Sequence, residues 1–173
     1  MSTAAKGPRK KLVDGLTRSF APVREQAIDR FREAVDLLHA FAEQVAELLK
    51  LPGGAPVEVK VELGHLVDQG QEYRVVIRAP EIGLSDYLVR AFVPFDGYPV
   101  MLDMFEEADR RCDTTESLVA ALVELSGRPA MLQRLAAIRG ALADESLRGE
   151  RKEVRALAKP AERAKRRQTK ARR

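Results

Sequence analysis

The sequence predicts an α+β protein: a long N-terminal helix packed on a four-stranded antiparallel meander sheet, followed by two shorter helices and a basic tail. Three observations carry that prediction. Residues 22–51 repeat apolar side chains at intervals of three and four. Residues 57–105 hold short runs in which apolar and polar side chains alternate, and residues 114–143 return to helical spacing.

Pro22 suits a first helical position, and Leu51-Pro52-Gly53-Gly54 ends the first run. Between them Ile28, Phe31, Val35, Leu38, Ala42, Val45 and Leu49 form a heptad seam, widened by Ala27, Ala34, Phe41 and Leu48. A stripe of that width packs on a sheet; pairing of its seam with another helix, of a second copy or of a partner, is the alternative. In 57–63, Val57, Val59, Val61 and Leu63 share one face while Glu58, Lys60 and Glu62 share the other. In 72–79, Tyr73, Val75 and Ile77 point in, with Glu72, Arg74 and Arg78 out. These read as half-buried antiparallel strands joined through Asp68-Gln69-Gly70.

Residues 87–95 and 98–105 read as a hairpin, because Asp96-Gly97 between apolar runs signals a two-residue type I′ turn. Paired residue numbers then sum to 193, which sets Arg90 opposite Asp103 as an ion pair. Pro94 and Pro99 fall opposite each other, at a site expected to lie off the hydrogen-bonded parity. Their nitrogens would point outward, fencing the tip from further strands and leaving it to project. Val89, Ala91, Val93, Val100, Leu102 and Met104 share the face expected under the long helix, whereas Leu88, Phe92, Met101 and Phe105 share the other. Either the later helices cover that second group, or it is an exposed apolar patch that binds a protein.

A capping signal at Asp113-Thr114 with Glu116 starts a helix of about 114–126, and Pro129 opens another to about 143. The expected organisation is a basic flexible arm over 1–18, one α+β domain over 19–143, and a basic tail over 144–173, partly helical and then disordered.

The net charge of +4 is segregated. Residues 1–20 carry +4 and residues 144–173 carry +7, while the 21–143 body carries −7. Lys6, Arg9, Lys10 and Lys11 at one end, and Arg163, Lys165, Arg166, Arg167, Lys170, Arg172 and Arg173 at the other, are candidates for binding a polyanion. Such runs act through counterion release and carry little sequence information. They hold no aromatic residue, so base stacking is not offered.

Catalytic chemistry finds no motif. His39 and His65 are isolated, and with one cysteine they make no metal-ligand spacing. Arg111 beside Cys112 would lower the thiol pKa, yet no base accompanies it. Asp103, Glu106, Glu107 and Asp109 follow a strand end where charge is ordinarily solvated. No glycine-rich phosphate loop or nucleophile elbow is present. Neither enzyme activity nor a cofactor or metal is expected. The lone cysteine, the lack of an apolar run of membrane length and the lack of a secretory signal point to the cytoplasm. What remains is a non-catalytic accessory or adaptor protein. It would bind a protein partner, or a second copy, through its helix seam or hairpin face, with the arms touching an anionic partner. The alternative is a nucleic-acid-binding protein whose basic termini bind without sequence preference.

Overall fold

The computed structural model describes residues 6–52, 56–104 and 108–148. In chain order they form α1 (Lys6–Leu49), β1 (Glu58–Val67), β2 (Gly70–Ala79), β3 (Leu84–Pro94), β4 (Val100–Leu102), β5 (Arg110–Cys112), α2 (Thr115–Gly127) and α3 (129–148). The class is α+β, as expected. The sheet is an antiparallel meander in the order β1-β2-β3-β4-β5, one strand more than predicted. The added strand is Arg110-Arg111-Cys112, too short to show an alternating pattern.

Helix α1 begins at Lys6 and passes through Pro22, so residues 6–18, expected to form an arm, are its first turns. Pro8 sits in the first turn, where the missing N–H has no partner to lose. Pro22 does remove a bond to the Arg18 carbonyl. An interior proline costs about 3 kcal/mol and an interior glycine such as Gly15 about 1 kcal/mol. The reading from Pro22 onward missed that Val13, Leu16, Phe20, Val23 and Ala27 extend the three-and-four spacing toward the N-terminus.

One core holds the molecule together. Ala34, Leu38, Ala42, Val45 and Leu49 of α1 meet the inner face of the sheet, where Tyr73, Val75, Ile77, Val89, Ala91, Val93, Val100 and Leu102 point as predicted. Leu118, Ala121, Leu122 and Leu125 of α2 join the same cluster, as do Met131, Ile138 and Leu142 of α3. The later helices therefore pack beside α1 and not on the opposite face. Full burial of a side chain such as Leu38 contributes roughly 1.5–3 kcal/mol.

The hairpin keeps its predicted register, with Ala91 opposite Leu102 and Phe92 opposite Met101, but its turn differs. Gly97 N–H donates to the Pro94 carbonyl at 2.8 Å, and β4 starts only at Val100. Asp103 N–H donates to the Arg90 carbonyl at 2.9 Å, which puts 90:103 on the hydrogen-bonded parity. Four residues along, 94:99 has that parity too, and there neither proline brings an N–H. The ladder between the strands cannot close at that level, and residues 95–99 open into a loop. The prolines thus stop pairing inside the hairpin, opposite to expectation, and pairing outside it continues. Gly70 pairs with Pro94, Phe95 N–H reaches the Gln69 carbonyl at 3.0 Å, and Val100 pairs with Cys112.

Nor does the loop project freely. Gly97 has φ +91°, and a Cβ built on it would lie 2.5 Å from Arg30 Cβ and 2.8 Å from Phe31 N. The tip is pressed against the backbone of α1. Phe31 stands between Tyr73 and Phe95, with ring centroids 6.2 Å from each. Tyr98 donates its hydroxyl proton to Thr115 Oγ1 at 3.1 Å, tying the loop to the first turn of α2. Burial raises the Tyr98 pKa, and the Thr115 bond offsets part of that.

Thr114 caps α2, with Ser117 and not Glu116 completing the box. Thr114 Oγ1 accepts from Ser117 N at 3.2 Å, and Ser117 Oγ accepts from Thr114 N at 3.0 Å. At the far end Arg128 donates to Glu124 at 3.0 Å and to the Met104 carbonyl at 3.1 Å. Arg110 of β5 reaches the same Glu124, and Arg134 of α3 pairs with Asp86 of β3. The last residues of the expected tail, 149–173, lie outside the described residues.

Candidate protein-docking surfaces

The four residues expected to form an apolar patch behind the hairpin are not brought together. Leu88 is in the core, 1% exposed. Val75 pairs with Val89 and Val76 with Tyr87, which leaves Leu88 as the extra residue of a bulge that turns it inward beside Val89. Phe105 lies outside the described residues. Phe92 and Met101 do face outward, paired and half-buried. The Phe92 ring also has a structural role, because its tip covers Gly70, where a built Cβ would lie 2.6 Å from Phe92 Cζ.

Around that pair the outer face is charged and matched. Arg90 Nη2 meets Asp103 Oδ2 at 2.9 Å, the predicted cross-strand pair. Arg74 meets Glu72 at 2.6 Å, Arg78 meets Glu62 at 2.8 Å, and Arg111 meets Asp113 at 2.8 Å. Arg74 and Arg90 are direct neighbours across β2 and β3, yet each has its own carboxylate. An antiparallel sheet with one face on the core and one in water has this composition.

The larger apolar surface is on α1. Every described side chain from Lys10 to Gln26 is exposed. Leu12, Val13, Leu16, Phe20 and Val23 are 47–63% accessible. Val13, Phe20 and Ala27 stand one heptad apart in line with the buried Ala34, and Leu16 and Val23 are in line with the half-buried Leu37. The stripe is therefore the prolongation of the face that packs on the sheet, carried past the end of the body. The border falls at Arg30 and Phe31, where the hairpin tip closes against the helix. Leu63 and Leu66 on the inner face of β1, opposite Tyr73 and Gln71, are exposed as well. Leu63 was expected to be covered, but it is 71% exposed, one strand out from the Tyr73 that α1 reaches through Phe31.

The basic candidates divide by position. Lys10 and Lys11 are exposed on the projecting half of α1. Lys6 and Arg9 belong to its first turns. Arg163, Lys165, Arg166, Arg167, Lys170, Arg172 and Arg173 lie outside the described residues.

Cys112 is fully buried on β5, and burial raises its thiol pKa more than Arg110 lowers it. The expectation of a lowered value does not hold. His39 and His65 are exposed on α1 and β1. Among the described residues no three His, Cys, Asp or Glu side chains stand together as a metal site, and no helix is long and apolar enough to cross a membrane. A cleft of ≈ 940 Å³ runs between Met104, Leu125, Arg128, Met131 and Arg134. Both of its arginines are already engaged, by Glu124 and by Asp86. No protein-family model, curated protein or solved structure matches the chain.

The α1 stripe is the surface that reading the sequence missed. Its signal was present in the spacing of Val13, Leu16, Phe20, Val23 and Ala27, masked by Gly15 and by the treatment of Pro22 as a boundary.

Proposed function

We propose that the chain is a non-catalytic accessory protein that docks a protein partner on the projecting half of α1, with its basic termini adding contact to an anionic partner such as a nucleic acid. One observation carries this reading: an amphipathic helix whose apolar side chains, from Leu12 to Val23, stay exposed and outside the core of the described residues. Helix faces of this kind are read by partners as anchors at intervals of three and four. Lys10 and Lys11 lie on the same projection, so an anionic partner would be met there first.

Capture of partners by the full chain, with quantitative identification of what is bound, tests the proposal. The double variant Leu16→Asp/Phe20→Asp is expected to lose at least tenfold of a specific partner. Phe92→Ser/Met101→Ser, altered on the outer face of the sheet, is expected to keep it. Loss on the second variant alone would move the docking surface to the sheet. Retention by both, with nucleic acid recovered in a salt-sensitive manner through the termini, would favour the nucleic-acid-binding alternative.

A further inference from the structure

We infer that the occupant of the α1 stripe is a second copy of this chain, paired antiparallel about Arg18; the inference rests on the reading of that stripe as a docking face. Val13, Leu16, Phe20, Val23 and Ala27 follow one another at intervals of three, four, three and four, the spacing of a two-helix seam. Among the described residues the segment stays exposed and outside the core, and Gly15 and Pro22 lower its helical preference. A helix of that kind takes its stability from a surface laid along its apolar face.

Length and register select the arrangement. In an antiparallel pair, positions of one heptad row face those of the other, so opposed residue numbers have a constant sum. With a sum of 36, Val13 faces Val23 of the second copy and Leu16 faces its Phe20, and symmetry repeats both contacts. Lys6, the first residue of α1, then comes level with Arg30 of the second copy. That is where the hairpin tip closes the face, with Gly97 packed on Arg30 and Phe31. The described length of the helix up to the hairpin tip is filled and not exceeded. The next register, with a sum of 43, would bring Arg9 level with Ala34, a position already buried against the sheet.

Parallel pairing fails on two counts. The stripe continues the sheet-facing side of α1, so the two bodies would compete for one space beyond Arg30. It would also gather Lys6, Arg9, Lys10 and Lys11 of both copies at one end, whereas the antiparallel pair sets them beside residues 24–30 of the other, where Glu25 and Asp29 balance Arg24 and Arg30. The five seam positions with Leu12 offer on the order of 500 Å² per copy, giving a total close to the roughly 1,000 Å² that a specific interface needs. Arg30 of one copy and Arg30 of the other would stand about 36 Å apart along the rod, leaving the bodies at opposite ends. Two like-charged contacts remain toward each end, Lys6 level with Arg30 and Lys10 beside Arg24 of the second copy.

Sedimentation equilibrium of the full chain over a wide concentration range provides the test. A dimer is expected, weakened at least tenfold by Phe20→Glu, whose thermal unfolding should match the parent under conditions where both are monomeric. Arg24→Glu should tighten it severalfold, because it turns the repulsive contact with Lys10 into an attraction. Cysteine traps then fix the orientation, since the native Cys112 is buried. Val13→Cys mixed with Val23→Cys should link on oxidation, and Val13→Cys alone should not. A chain that stays monomeric throughout, or Val13→Cys linking to itself as fast as the mixture, overturns the inference. If the chain is monomeric while Leu16→Asp/Phe20→Asp still abolishes capture of a different, identified protein, self-pairing falls and the docking reading stands. If neither holds, both fall.

Discussion

The two halves of α1 make the most instructive comparison in the molecule. From Ala34 to Leu49 five apolar side chains are no more than 3% exposed, whereas from Leu12 to Ile28 six are 37–63% exposed. Spacing and residue type are alike in both. What differs is the surface opposite: one half faces a sheet, and the other faces nothing among the described residues. Amphipathic spacing therefore states a requirement for cover, and topology decides which part of the helix the chain covers for itself. Backbone chemistry follows the same division, because Gly15 and Pro22 both lie in the bare half.

The sharpest way to break this comparison is to truncate one residue in each half. Leu38→Ala removes a side chain with no exposure at the centre of the core, and large-to-small changes at such sites cost about 2–5 kcal/mol. Phe20→Ala, measured by urea unfolding at dilutions where the chain is monomeric, should change stability by less than about 0.5 kcal/mol. Equal losses in the two variants would mean that the projecting half is packed on its own chain after all.

A second prediction concerns the border. Gly97 has φ +91°, and its hydrogen atoms face the backbone of Arg30 and Phe31. Gly97→Ala combines an unfavourable conformation with a contact that only displacement of the tip can relieve. A loss of about 1–3 kcal/mol is expected. Hydrogen exchange should locate it, with new opening at residues 28–35 of α1 and at the hairpin tip before the C-terminal part of the helix. Unchanged stability would show that the tip does not set where the covered half begins.

How much of this could be read from the residues depended on the range of the interaction. Sheet order, strand faces and the Arg90–Asp103 match follow from alternation and from where a turn must fall, both local properties. Hydrogen-bond parity at the hairpin was not legible, because the prolines made the loop five residues long and reversed it without altering the register. Leu88 was misplaced for a similar reason: a bulge adds one residue and turns the side chain over, and only the adjacent pair Leu88-Val89 hinted at it. The projecting stripe was legible in spacing, but treating Pro22 as a start cut it in two. That the covered half of α1 begins at Phe31 depends on Gly97 meeting the helix there, a contact between residues distant in sequence.

The smallest effect expected is one of pH, and it should reach only the covered half. Glu124 joins α2 to β5 and to the end of the helix, and its hydrogen bond to Arg128, then that to Arg110, hold its carboxyl below the usual range. A carboxylate whose pKa is lower in the folded chain contributes stability that is complete at neutral pH and disappears as pH falls through the folded value. Glu124 is solvent-exposed, so the contribution is small and screened by salt. Glu124→Gln should lower the urea midpoint at neutral pH, and its difference from the parent should shrink toward zero in acid. Because α2 packs in the same core as Ala34 and Leu38, amide protection over 34–49 should follow that difference, while 10–26 stays unprotected at either pH in the monomer. A difference that persists undiminished below the carboxylate range would detach Glu124 from the packing of α2, and with it the link between this network and the covered half of α1.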